Sequence, residues 1–188
     1  MIWLFFVCYS GPFGSIKIEL VILKHKWHAS RVGCIKINVD VAVDEAVGFV
    51  GIGVVARDER GMVLGVASWR MAGNFPPHVG ECLAVRPGSW FALAYCYQDW
   101  IVEVDALNVY NTVCLSEQRL VKANVIQDIC YSFQQVGSGF VCHGSRDGNL
   151  VVHFLARLAI SSSSSRMWVD VLPKFLSPFV KADISSLK

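Results

Sequence analysis

The stretch 35-IKINVDVAVD-44 decides the fold. Ile35, Ile37, Val39, Val41 and Val43 alternate with Lys36, Asn38, Asp40, Ala42 and Asp44, the period-2 pattern of a half-buried β-strand. Asp is a poor strand residue whose side chain prefers turns, so Asp40 in the middle of the run needs a reason. Downstream, Phe49 to Val55 reads as a second strand, 57-RDERG-61 as a polar turn, and Met62 to Trp69 as a third strand. These three form an antiparallel meander. After Asn74-Phe75-Pro76-Pro77, a helix is predicted over 79–98, kinked or divided into two short helices by Pro87-Gly88.

A fourth strand, 101-IVEV-104, ends at Asp105, and helices follow over 106–115 and 124–136. Ser138 to His143 reads as a fifth strand and Asn149 to Ile160 as a last helix, which ends in the low-complexity run Ser161 to Ser165, expected to be flexible. The order β-β-β-α-β-α-α-β-α, without internal repeats, implies an α/β domain with a mixed sheet and helices on its faces.

The 188 residues suffice for one domain with a real core. At 54% hydrophobic and 17% charged, the chain is too apolar for disorder. A net charge of +2 does not by itself announce a nucleic-acid binder. Lys36, Arg57, Arg60, Arg86, Arg146 and Arg157 are scattered, so phosphate contacts would be few and binding salt-sensitive. Seven cysteines form no C-x-x-C pair and lie in apolar patterns, which suits a reducing, intracellular setting without disulfides. His25, His28 and Cys34 lack a fourth ligand for zinc.

Residues 1–30 stand apart. Ile2 to Tyr9 and Ile16 to Leu23 are apolar runs separated by Gly11, Pro12 and Gly14. Both are too short to span a membrane, which takes about 20 apolar residues, and the start lacks the basic region of a signal peptide. The region is expected to be a tail or edge strand packed on a domain covering 31–188, with a C-terminal extension after about 161 and no stable membrane association.

Three acids stand against apolar surroundings: Asp40, Glu81 in 80-GECLAVR-86, and Asp105. Each has an ordinary structural reading: a solvated strand residue, a first-turn helix acid and a helix N-cap. Jointly they suggest more. If the first and fourth strands are parallel neighbours, Asp40 and Asp105 lie side by side where open α/β sheets bind ligands, and the helix after the third strand can bring Glu81 over them. Clustered carboxylates call for a hard cation such as Mg²⁺ or Mn²⁺.

Several motifs, in this order and spacing, carry a resemblance: 36-KINVD-40, 51-GIGVVARD-58, 81-ECLAVR-86, 102-VEVDAL-107, 143-HGSRDGN-149, 153-HFLAR-157, and Trp168 with 173-PKFL-176. From about Trp27 to Asp183 the chain resembles the reverse-transcriptase-like ribonuclease H domains found widely in plants, within the type-1 ribonuclease H superfamily. The resemblance implies an RNase H-like fold with a five-stranded mixed sheet, its first three strands antiparallel, and helices on both faces. It implies a hydrolase cutting the RNA strand of RNA–DNA hybrids as a two-metal endonuclease, acting as a monomer. Asp40, Glu81, Asp105 and His153 would hold the metals, Asp40 bridging both, and His143 would shuttle protons. Asn38, Arg146 and Asn149 would contact nucleic acid, and groups near Asn38 and Glu81 would read the 2′-hydroxyls.

The chain departs from that pattern in three places. His153 stands where the classical enzymes have a fourth carboxylate, a poorer Mg²⁺ ligand; its ordinary reading is a helix residue bonded within the fold. Val41 follows Asp40 where Gly is common, and Pro87-Gly88 interrupts the helix carrying Glu81. The alternative to an active nuclease is therefore a retroelement-derived nucleic-acid-binding domain of the same fold with weak or no turnover.

Overall fold

A computed structural model describes residues 3–10, 16–23, 27–44, 46, 48–73, 75–114 and 139–185. The predicted meander is present: β3 (Ile35–Asp44), β4 (Phe49–Arg57) and β5 (Val63–Ala72) are antiparallel neighbours. β6 (Trp100–Val104) lies parallel to β3, and β7 (Gly139–His143) lies parallel to β6. The fourth strand is therefore beside the first, as the placement of Asp40 and Asp105 required.

The sheet is larger than the five strands expected. β8 (Arg166–Val169) pairs antiparallel with β5 at one edge. At the other, β1 (Trp3–Ser10) and β2 (Ile16–Leu23) form an antiparallel hairpin, and β1 meets β7 at Val7 and Cys142. The full order is β2-β1-β7-β6-β3-β4-β5-β8. The two apolar N-terminal runs are thus strands that extend the sheet.

Alternation along β3 gives the sheet two distinct faces. Ile37 and Val39 point to a core shared with α1 (Pro77–Ala94) and α2 (Leu107–Cys114), through Val85, Phe91, Val109 and Tyr110. The opposite face, which carries Lys36, Asn38 and Asp40, is covered by α3 (Leu150–Ser161) and α4 (Ser177–Ser185), with Val55, Val66, Val152, Leu155, Leu176 and Val180 as a second core. α3 lies directly on β4: a methyl group at Gly53 would overlap the Val152 carbonyl oxygen, so only glycine permits the approach.

Two expectations are corrected. α1 is one 18-residue helix running through Pro87, not two short ones. Proline in a helix interior costs roughly 3 kcal/mol. Cys82, Ala84, Val85, Phe91 and Ala92 bury the helix on the sheet from both sides of Pro87, which offsets that cost. The serine run is tied down. The Arg70 amide donates to Ser165 Oγ (3.0 Å), and its guanidinium donates to the Ser162 carbonyl (2.9 Å), so the run is a fixed link into β8. The helix predicted over 124–136 lies outside the described residues. Among the described residues no helix is long and apolar enough to cross a membrane.

Candidate functional site

The site arises where two strands part. β3 and β6 are paired from Ile35↔Trp100 to Asn38↔Glu103, and the ladder then stops. β3 continues to Asp44 beside β4 alone, while β6 follows β7 through Val104↔His143. The carbonyl of Val39, the first residue past the ladder, accepts a bond from Asn149 Nδ2 (3.1 Å). Asn149 is buried at the entry to α3 and clamps that helix to the split. Buried backbone acceptors need such partners, so Asn149 is a structural clamp rather than the exposed nucleic-acid contact expected.

Before the split the polar side chains are closed off. Lys36 Nζ donates to Glu103 Oε2 (2.6 Å), Asn38 Nδ2 donates to Glu103 Oε1 (2.7 Å), and Trp27 Nε1 donates to Asn38 Oδ1 (2.9 Å). Burial works against the charge on Lys36, but Glu103 more than offsets it, and the ammonium holds its proton above the usual lysine value. Gly144 crosses so close to the Glu103 carboxylate that a side chain there would have to push it aside. Asn38 is thus a buried network residue and cannot reach nucleic acid. Lys36 and Arg57 also leave the set of possible phosphate contacts. Both are buried, and Arg57 pairs with Asp183 on α4 (2.8 Å) beneath the face of Trp27. This network gave no signal in the sequence beyond polar residues at inward strand positions.

Past the split the acids stay sheltered, but their partners open to solvent. Asp40 Oδ2 accepts from His153 Nδ1 on α3 (2.8 Å). Asp105, just after β6, accepts from Arg146 Nε (3.3 Å). Burial, and then the neighbouring Asp105 charge, push the Asp40 carboxyl above the usual range, while the His153 bond pulls it back. The Asp105 charge is thus felt at Asp40. His143, at the end of β7, donates from Nε2 to the Asp105 carbonyl oxygen (3.1 Å). Burial lowers its pKa, which favours the neutral ring. The structure thus brings Asp40, Asp105, His143, Arg146, Asn149 and His153 to one end of the sheet.

Glu81 lies on α1, which packs on the other face of the sheet. It follows Gly80, which packs over Val41 and Val43 on the α1 side of β3. Val41 accordingly lies under α1 and does not crowd the Asp40 carboxylate. Among the described residues no three His, Cys, Asp or Glu side chains converge closely enough to hold a metal ion. The four-ligand cluster expected from the sequence is not preassembled. The hard carboxylate oxygens of Asp40 and Asp105 are the donor type that a divalent cation takes, and a cation there would relieve the effect of the Asp105 charge on Asp40.

A mixed sheet of this order, meander first and parallel strands after, with paired carboxylates at its split, defines an RNase H-like domain. Residues 38–159 match the reverse transcriptase-like family, and the chain belongs to it. No curated protein matches the sequence. Among solved structures, RNase H1 of the halophilic archaeon Halobacterium salinarum is 15% identical, with 68% of this chain and 98% of that chain covered and a TM-score of 0.63. The N-terminal RNase H domain of a Mycobacterium tuberculosis protein is 16% identical, covering 68% and 94%, at 0.60. LC11-RNase H1, solved in complex with an RNA/DNA hybrid, is 22% identical, covering 68% and 96%, at 0.58. At these identities the likeness is one of fold.

Proposed function

We propose that the protein is a divalent-metal-dependent endonuclease acting on the RNA strand of RNA–DNA hybrids. The observation that carries this reading is the placement of Asp40 and Asp105 at the split between β3 and β6, near enough for the Asp105 charge to act on Asp40. Family membership and a hybrid-bound neighbour of the same fold support it. Asp40 and Asp105 would hold the ion, with Glu81 and His153 as further ligands once His153 releases Asp40. Bound Mg²⁺ or Mn²⁺ supplies Lewis-acid stabilisation of the phosphate and a more acidic water. The protein's own groups do the rest. Arg146 offers its guanidinium to a phosphate beside Asp105. His143, kept neutral and held by the Asp105 carbonyl, carries a proton toward or away from the departing oxygen.

A second reading, hybrid binding without turnover, is favoured by one observation: the His153 ring already occupies Asp40 Oδ2. A single experiment separates the two. Purified protein is incubated with a labelled RNA–DNA hybrid in Mg²⁺ and separately in Mn²⁺, beside Asp40→Asn and an all-DNA duplex. Metal-dependent cleavage of the hybrid alone, lost in the variant, is expected. Hybrid binding by folded protein with no cleavage in either ion would leave the second reading, and equal cleavage of the DNA duplex would refute hybrid specificity.

A further inference from the structure

α1 lies over β3, with β4 and β6 beside it, and leaves a cleft of about 400 Å³ on its β5 side. The cleft is on the face of the sheet opposite Asp40 and His153. Trp69 and Met71 of β5 form its floor, and Trp90 of α1, 51% exposed, stands at its edge. The two tryptophan rings meet edge to face, with 5.8 Å between centroids and 73° between planes. They make a corner that a planar ring fills, its face on one ring and its edge against the other. Two polar groups border this corner. Arg86 is exposed and is the only charged residue among the described residues lining the cleft. Its guanidinium presents a planar fork of N–H donors that fits a carboxylate. The second group is the backbone carbonyl of Leu83. Pro87, one turn further along α1, has no amide hydrogen to give it, so the helical bond cannot form. Leu83 and Pro87 both line the cleft, which places the released carbonyl at its wall.

We propose that this cleft binds a small planar aromatic acid, its carboxylate paired with Arg86, a ring N–H donated to the Leu83 carbonyl and its rings seated between Trp69 and Trp90. The volume is at the small end of ligand pockets, roughly 300–1,000 Å³, which suits a molecule of two fused rings. Met71 adds a polarizable thioether to the aromatic contact. Pro87, which α1 carries at a cost, thereby supplies the acceptor that orients the ligand. The site shares no residue with the carboxylate site and stands independently of the hybrid-directed reading.

The test titrates indole-2-carboxylate into the full-length protein by isothermal calorimetry. Beside it run indole-2-carboxamide, which lacks the charge, and 1-methylindole-2-carboxylate, which lacks the N–H. A single site with a Kd of about 10–100 µM is expected for the acid, and each analogue should bind about tenfold more weakly. Arg86→Ala should weaken the acid about tenfold and leave the carboxamide unchanged. Trp90→Ala should weaken all three. Pro87→Ala supplies the missing amide, so it should erase the preference for the acid over its N-methyl analogue, with a Tm at or above that of the wild type. Melting curves establish that each variant is folded. No binding by folded wild type at about 1 mM acid, equal affinity for the three compounds, or full affinity after Arg86→Ala would each overturn the proposal. A preference for the N–H that survives Pro87→Ala would overturn the role given to the Leu83 carbonyl.

Discussion

Glu103 and Asp105 lie two residues apart on the same side of β6, and Lys36, Asn38 and Asp40 share one face of β3. The carboxyl groups are equally sheltered: Glu103 is 10% exposed, Asp105 9% and Asp40 11%. Their partners differ. Lys36 is 5% exposed, whereas His153 is 54% and Arg146 86% exposed. Glu103 is locked by a cation that cannot leave. Asp40 and Asp105 are held by groups that can swing into solvent and make room for a ligand. The switch from structural pair to candidate site happens within one turn of the pleat, because the ladder between β3 and β6 ends there.

Breaking this comparison should have its largest effect on chemistry at the open end. Asp105→Asn should lower hybrid cleavage at least about a thousandfold, equivalent to about 4 kcal/mol of transition-state stabilisation. The protein should stay folded, as circular dichroism and melting would report. The closed end should behave oppositely. Glu103→Ala strands Lys36 in the core and should cost about 3–5 kcal/mol in denaturant unfolding. Replacing both partners with Lys36→Met and Glu103→Leu should recover most of that loss. A Glu103→Ala protein as stable as wild type would erase the distinction between the two ends.

Smaller changes sharpen it. His153→Asp restores the fourth carboxylate of the family pattern and should raise Mg²⁺-dependent cleavage about tenfold, while lowering Tm in EDTA because it adds a like charge beside Asp40 and Asp105. Asp40→Asn should raise Tm at neutral pH, since it removes a sheltered charge that repels Asp105. The pH profile follows from the direction of the shift. Folded Asp40 keeps its proton to higher pH than unfolded Asp40, whose ordinary value is 3.8. Its ionisation therefore opposes folding. Stability from this group rises as pH falls through the raised value and levels off below 3.8. The wild-type melting curve should show that gain relative to Asp40→Asn. Parallel profiles for the two proteins would show that burial and the Asp105 charge do not raise Asp40 in solution.

Much of this was legible in the residues. The alternation in 35-IKINVDVAVD-44, the hairpin around 57-RDERG-61 and the position of Asp105 at a strand end led to the meander and to Asp40 and Asp105 lying at one end of the sheet. The first N-terminal run is apolar throughout and only 16-IKIEL-20 of the second alternates, which left a tail and an edge strand both open, and β8 is only 4 residues long and follows a serine run. Pro87 argued for a broken helix, but local propensity yields when both flanking segments are buried against a sheet. Asn38 and Asn149 looked like surface contacts because a polar side chain on a strand or at a helix entry carries no mark of burial.

Sequence by itself determined the periodicities, hence the strands, the helices and the two faces of β3, because side-chain alternation is a local property of the chain. It also placed acids at the ends of the right elements. Only the tertiary structure decided which acids lie near one another. Where β3 leaves β6, how closely Gly144 seals Glu103, and that His153 reaches Asp40 across 113 positions all depend on packing between distant segments. A pattern read along one strand does not contain the register of its neighbour.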